Sequence, residues 1–156
     1  MKIAFLGVRV PGHLNPMTTL ARRLKARGHD VVFISVLDTE PIAQGKAQQA
    51  LAEIEKEPSQ WAQLTGQALT YHALGREQDS NAALAALIAK YDTLSAYQIA
   101  QVHAYRGESD KSFEWLERAY KQRDTGLPSL NTDPLFKNLR HDPRYTELLK
   151  KMRLPT

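Results

Sequence analysis

Hydrophobic and polar positions change rhythm near Pro41–Gly45. Before that point come a continuous apolar run, Ile3–Val8, and a second, Val31–Val36, interrupted only by Ser35, with a helix-period stretch between them. Continuous runs of this length suit parallel strands covered on both faces. Between them Met17, Leu20, Ala21 and Leu24 recur at helical spacing. Asn15 is a good N-cap, Pro16 fits the first helical position, and Gly28 is a natural stop. Arg22, Arg23, Lys25 and Arg27 fall toward the helix end, where positive charge suits the macrodipole. This order predicts a right-handed βαβ unit over residues 1–42, the start of a Rossmann-like sheet.

Beyond the switch the period is helical throughout. Ala47, Leu51 and Ile54 form one stripe, broken at Glu57-Pro58-Ser59, with Ser59 a candidate N-cap. Trp61, Leu64, Ala68, Tyr71 and Leu74 continue to Gly75, and Ala83, Leu84, Leu87, Ile88 and Tyr91 follow. After Asp92-Thr93, Ser95 is placed to cap a helix carrying Tyr97, Ile99, Ala100, Val102 and Tyr105, which ends at Gly107. Phe113, Leu116, Ala119 and Tyr120 mark the next helix. Gly75 and Gly107 each stand between two helices. The interval from one to the other is close to the ~34-residue tetratricopeptide period. Ala68, Ser80, Ala100, Ser112 and Ala119 are small enough for close helix crossing.

Two Asp-Pro pairs then punctuate the tail. Asp is a good N-cap and Pro a good first helical residue, so short helices should start at Asp133-Pro134 and Asp142-Pro143. The second should turn Tyr145, Leu148, Leu149 and Met152 inward. The fold class is thus mostly α with an N-terminal βαβ unit. It divides into a Rossmann-like fragment (1–42), repeat-like helical hairpins (43–124) and capping helices over the last repeat (125–156).

Composition narrows the function. There is no cysteine, which excludes disulfides and thiolate metal sites and suits a cytoplasmic protein. The net charge of +4 splits into +3 over residues 1–42 and +1 beyond. No basic run interleaved with aromatics accompanies it, so nucleic acid is not expected as a partner. No stretch approaches the ~20 apolar residues of a membrane span, so no membrane partner is expected either. His72 and His103 lack the i+4 His or acidic residue that would suggest a metal. Gly7 and Gly12 have P-loop spacing without the Lys-Ser/Thr that phosphate cradling needs. No nucleophile motif or acid–base pair stands out, and no cofactor is expected.

Two resemblances follow from these residues. Val10-Pro11-Gly12-His13-Leu14-Asn15-Pro16-Met17, with Leu24-Lys25-Ala26-Arg27-Gly28-His29-Asp30-Val31, resembles the N-terminus of macrolide- and flavonoid-type glycosyltransferases. Those enzymes have two Rossmann-like domains, and the His of the Gly-His loop is their general base. His13 matches that position. The family orients its His with a downstream Asp and binds the nucleotide sugar in a second domain; this chain matches neither. A lone His cannot align both substrates, so the resemblance implies a relic at His13 and no enzyme activity. The alternative reading is an acceptor-domain fragment that still uses His13.

Further on, Ala104-Tyr105-Arg106-Gly107-Glu108, Phe113-Glu114-Trp115-Leu116-Glu117-Arg118-Ala119-Tyr120 and Asp133-Pro134-Leu135-Phe136 through Asp142-Pro143-Arg144-Tyr145 resemble the closing repeats of bacterial tetratricopeptide proteins. That resemblance implies a non-catalytic scaffold for a protein or peptide ligand. In such arrays the first helix of each pair lines the concave face. The register then offers Thr65, Leu69 and His72 from one repeat and Tyr97, Gln101 and Tyr105 from the next as peptide-binding residues. The two-stranded N-terminal sheet has free edges, which invite a homodimer through Ile3–Val8 or Val31–Val36. The abrupt change of resemblance leaves two origins open, a natural fusion and a recombined or engineered chimera without evolved function.

Overall fold

The computed structural model of the chain describes residues 2–7, 30–35 and 47–155. Strands β1 (Lys2–Gly7) and β2 (Asp30–Ser35) pair in parallel, with Lys2 opposite Asp30 and Gly7 opposite Ser35. Each starts just before its apolar run. Parallel neighbours need a crossover; the helix expected there, with its Asn15-Pro16 start and Gly28 stop, lies outside the described residues. So does the switch at 41–45.

From Ala47 the regular structure is helical. The elements are α1 (Ala47–Ile54), α2 (Gln60–Ala73), α3 (Glu77–Tyr91), α4 (Ala96–Tyr105) and α5 (Ser109–Gln122). Two 3-10 turns, Leu127–Ser129 and Pro134–Leu139, lead to α6 (Pro143–Lys151). Helices α2 and α3 make one hairpin, α4 and α5 the next. The small residues read as crossing points are buried, and in each hairpin two of them share a bond. Ser80 Oγ donates to the Ala68 carbonyl of the facing helix, and at the matching place in the next hairpin Ser112 Oγ donates to Ala100. Both serines are almost fully buried, so the hydroxyls fasten each hairpin at its closest approach.

Helix α1 belongs to the same pattern. Its Ala47, Ala50 and Leu51 are buried in the same i, i+3, i+4 stripe as Ser80, Ala83 and Leu84 on α3. It thus matches the second helix of a preceding repeat. It packs on α2 where Gly66 leaves room for Ile54: a Cβ on Gly66 would lie 2.9 Å from Ile54 Cγ1.

The helix ends follow one geometry. In α2 the amide of Gly75 donates to His72 and that of Arg76 reaches back to Tyr71, while Gly75 takes φ 71°. Gly107 and Glu108 repeat this at the end of α4, with Gly107 at φ 76°. These are Schellman stops, whose left-handed residue is normally Gly. The same paired bonds close α5 and α6, but there the left-handed residues are Arg123 (φ 56°) and Arg153 (φ 58°). The residues flanking the first two stops also pair. Arg76 lies over the Tyr71 ring at 4.5 Å, and His103 Nδ1 meets Glu108 Oε2 at 2.5 Å.

The Asp-Pro readings hold. Asp133 accepts from Leu135 N and Asp142 from Arg144 N, both at 2.9 Å. Ser59 and Ser95 stand at N-cap positions without a side-chain cap bond, and the Glu57 carboxylate accepts from the Ser59 amide. Tyr145, Leu148 and Leu149 are buried as expected, with Met152 packed at their edge. Two apolar clusters result. One joins α1, α2, α3 and α4 and takes in Leu135 from the tail; the other joins α4 and α5 to Leu127, Leu130, Phe136, Leu139 and α6. The capping segment from 125 therefore shares its core with the hairpins.

Candidate functional site

The six residues expected to line a peptide groove have different fates. Thr65 and Leu69 are fully buried within the hairpin, and Thr65 Oγ1 donates to the Trp61 carbonyl one turn back, at 2.7 Å. Neither presents surface. His72 and Tyr105 are half-buried and meet edge-on, with ring centroids 5.8 Å apart at 76°. These two form the open part of the face.

Tyr97 and Gln101 lie one helical turn apart on α4 and are covered by the chain's own tail. The Tyr97 hydroxyl donates to Asp133 Oδ2 at 2.8 Å, and Gln101 Nε2 donates to the same oxygen at 2.6 Å. The Tyr97 ring lies 5.4 Å from that of Phe136, and its amide donates to Asp124 Oδ2 at 3.1 Å. Gly126 presses on the Tyr97 ring so closely that no Cβ would fit there. Burial, and after it the Asp133 carboxylate, pushes the Tyr97 phenol well above its ordinary range. It therefore remains a donor. Asn138 Nδ2 ties the next turn of the tail to the Ala104 carbonyl at 2.7 Å.

Asp133 and Phe136 thus complete a site of which the sequence reading named only the α4 half. The Asp-Pro signal identified Asp133 as a cap. It carried no sign that the second carboxylate oxygen would take two donors from α4. One acceptor is left over: Gln101 Oε1 is buried without a hydrogen-bond partner among the described residues.

His103 is buried beside Glu108. Burial lowers its pKa, against the smaller opposing pull of the Glu108 hydrogen bond; Lys111 and Arg106 also disfavour the charge. Arg106 reaches α3 from the end of α4, donating to Ser80 Oγ at 2.5 Å and Asn81 Oδ1 at 2.9 Å. Among the described residues no group of three or more His, Asp or Glu could hold a metal ion, and no helix is long and apolar enough to cross a membrane. His13 lies outside the described residues.

Comparison with known proteins returns no matching family model, no curated relative and no solved structure.

Proposed function

We propose that the chain is a non-catalytic module of tetratricopeptide-like helical hairpins that binds an extended segment of another protein, with a Rossmann-like βαβ fragment on its N-terminal side. The observation that carries this reading is the repeated joint. Ser80 on Ala68 and Ser112 on Ala100 set two successive hairpins in the same geometry. Repetition of that kind builds a continuous face from successive first helices. On this face His72 and Tyr105 supply a ring pair with polar edges, suited to a peptide's side chains and backbone.

Two hairpins give a short face, so affinity on the order of micromolar or poorer is expected. A peptide-library pull-down with wild type and His72→Ala/Tyr105→Ala tests the reading. Ligands retained by wild type should be lost by the double variant. Equal retention of every ligand by both proteins removes this face as the binding site. The enzyme-fragment reading rests on His13 alone. Nucleotide-sugar turnover that disappears in His13→Ala would replace the module reading with it.

A further inference from the structure

The contacts on α4 look like those between a groove and a bound peptide, although both sides belong to one chain. A carboxylate takes two side-chain donors, Tyr97 Oη and Gln101 Nε2, and the ring of Phe136, further along the same turn, packs on Tyr97. They belong to a short 3-10 turn, Pro134–Leu139, and its Asp133 cap, held at the other end by a hydrogen bond from the Asn138 side-chain amide to the Ala104 carbonyl. Runs of this kind are locally weak. The fit is also incomplete, because Gln101 Oε1 stays buried and unpaired among the described residues, an arrangement that costs free energy.

We propose that the Tyr97–Gln101 face of α4 is a peptide-recognition site occupied in cis by residues 133–139, and that its outside ligands present a carboxylate followed at i+3 by an aromatic ring. The inference rests on the module reading and names its partner class. Tyr97 and Gln101 select the carboxylate with two neutral donors. Phe136 fills the slot that the ligand's ring would take. A ligand that offers a further N–H to Gln101 Oε1 satisfies the acceptor that the tail leaves empty, and so competes with a tail whose local concentration is high. His72 and Tyr105 lie next along the same face.

The experiment uses the full chain and a labelled peptide of residues 131–141. Wild type should capture little of it. Asp133→Asn/Phe136→Leu, which keeps an N-cap residue and an apolar side chain, should bind it at least about tenfold more tightly, the scale of one charge-assisted bond. The same peptide with Asn and Leu at those two places should not bind. Equal affinity of wild type and a folded variant overturns the proposal, as does binding that ignores the peptide's substitutions. Hydrogen exchange on wild type is the second measurement and stands even where the variant unfolds. Amides of 135–140 should exchange through an opening that leaves α4 and α5 protected; exchange only with global unfolding overturns the proposal. A wild-type dimer abolished by Asp133→Asn would assign the site to the tail of a second copy and overturn occupancy in cis. Library ligands that depend on His72 and Tyr105 while the tail variant changes nothing would remove this inference and leave the module reading standing.

Discussion

Removing one hydroxyl from each hairpin joint should produce two different losses. Ser112 Oγ makes a single bond, to the Ala100 carbonyl, in a fully buried crossing. A neutral buried bond is worth about 1 kcal/mol net, so Ser112→Ala should cost about that. Ser80 Oγ donates to Ala68 and also accepts from the Arg106 guanidinium. Bonds to charged groups are worth about 1.5–3 kcal/mol, reduced here because Arg106 is half-exposed and can turn part of its head to water. Ser80→Ala should therefore cost about 2 kcal/mol, roughly twice its counterpart. Urea unfolding monitored by circular dichroism would read both, as shifts in midpoint at constant slope. A cycle pairing Ser80→Ala with Arg106→Gln should give a coupling above about 0.5 kcal/mol. Equal losses at the two serines, or no coupling in the cycle, would refute the claim that Ser80 ties the second hairpin to the first through Arg106.

Three further outcomes follow from features of the same chain. Stability should fall as pH drops below about 6.5, because the unfolded chain protonates His103 more readily than the fold, where burial lowers its pKa. His103→Phe should flatten that part of a pH–stability curve between about pH 8 and 5, and an unchanged slope would exclude His103 as the source. Gly107→Ala should cost about 1 kcal/mol in thermal or urea unfolding, since a Cβ meets no neighbour there and only the left-handed φ of 76° opposes it; a neutral result would contradict the stop geometry. Light scattering at tens of micromolar should give a dimer mass if the two-stranded sheet pairs with a second copy through β1 or β2, and a monomer mass would count against that expectation.

The helical period was legible in the sequence because it depends on buried positions and on glycine. Gly75 and Gly107 announced the ends of α2 and α4, since a left-handed residue there is cheapest without a side chain. The equivalent ends of α5 and α6 carried no such mark, because Arg123 and Arg153 accept the same strained conformation and nothing local in their sequence reveals it. Asp133 and Asp142 were readable as caps for the reason that Ser59 and Ser95 were misleading. Asp next to Pro has few other local roles, whereas neither serine hydroxyl takes an amide of the helix it precedes.

The candidate site was half legible. Helix register put Tyr97, Gln101 and Tyr105 on one stripe correctly. Register within a helix says nothing of what returns to cover it, so the burial of Tyr97 and Gln101 under residues 133–139 could not be read. Thr65 and Leu69 failed for a related reason. A first helix turns some residues to the groove and others to its own partner, and small differences of rotation decide which.

The larger apolar cluster begins at Ala96 and closes only with Leu149. Synthesis runs in order, so Tyr97, Phe113 and Leu116 are made before the segment that shields them. A chain truncated before Pro134 would carry them without that cover, as exposed apolar surface of the kind that promotes aggregation. The stretch from Leu127 to Leu149 thus decides whether that apolar surface is sheltered.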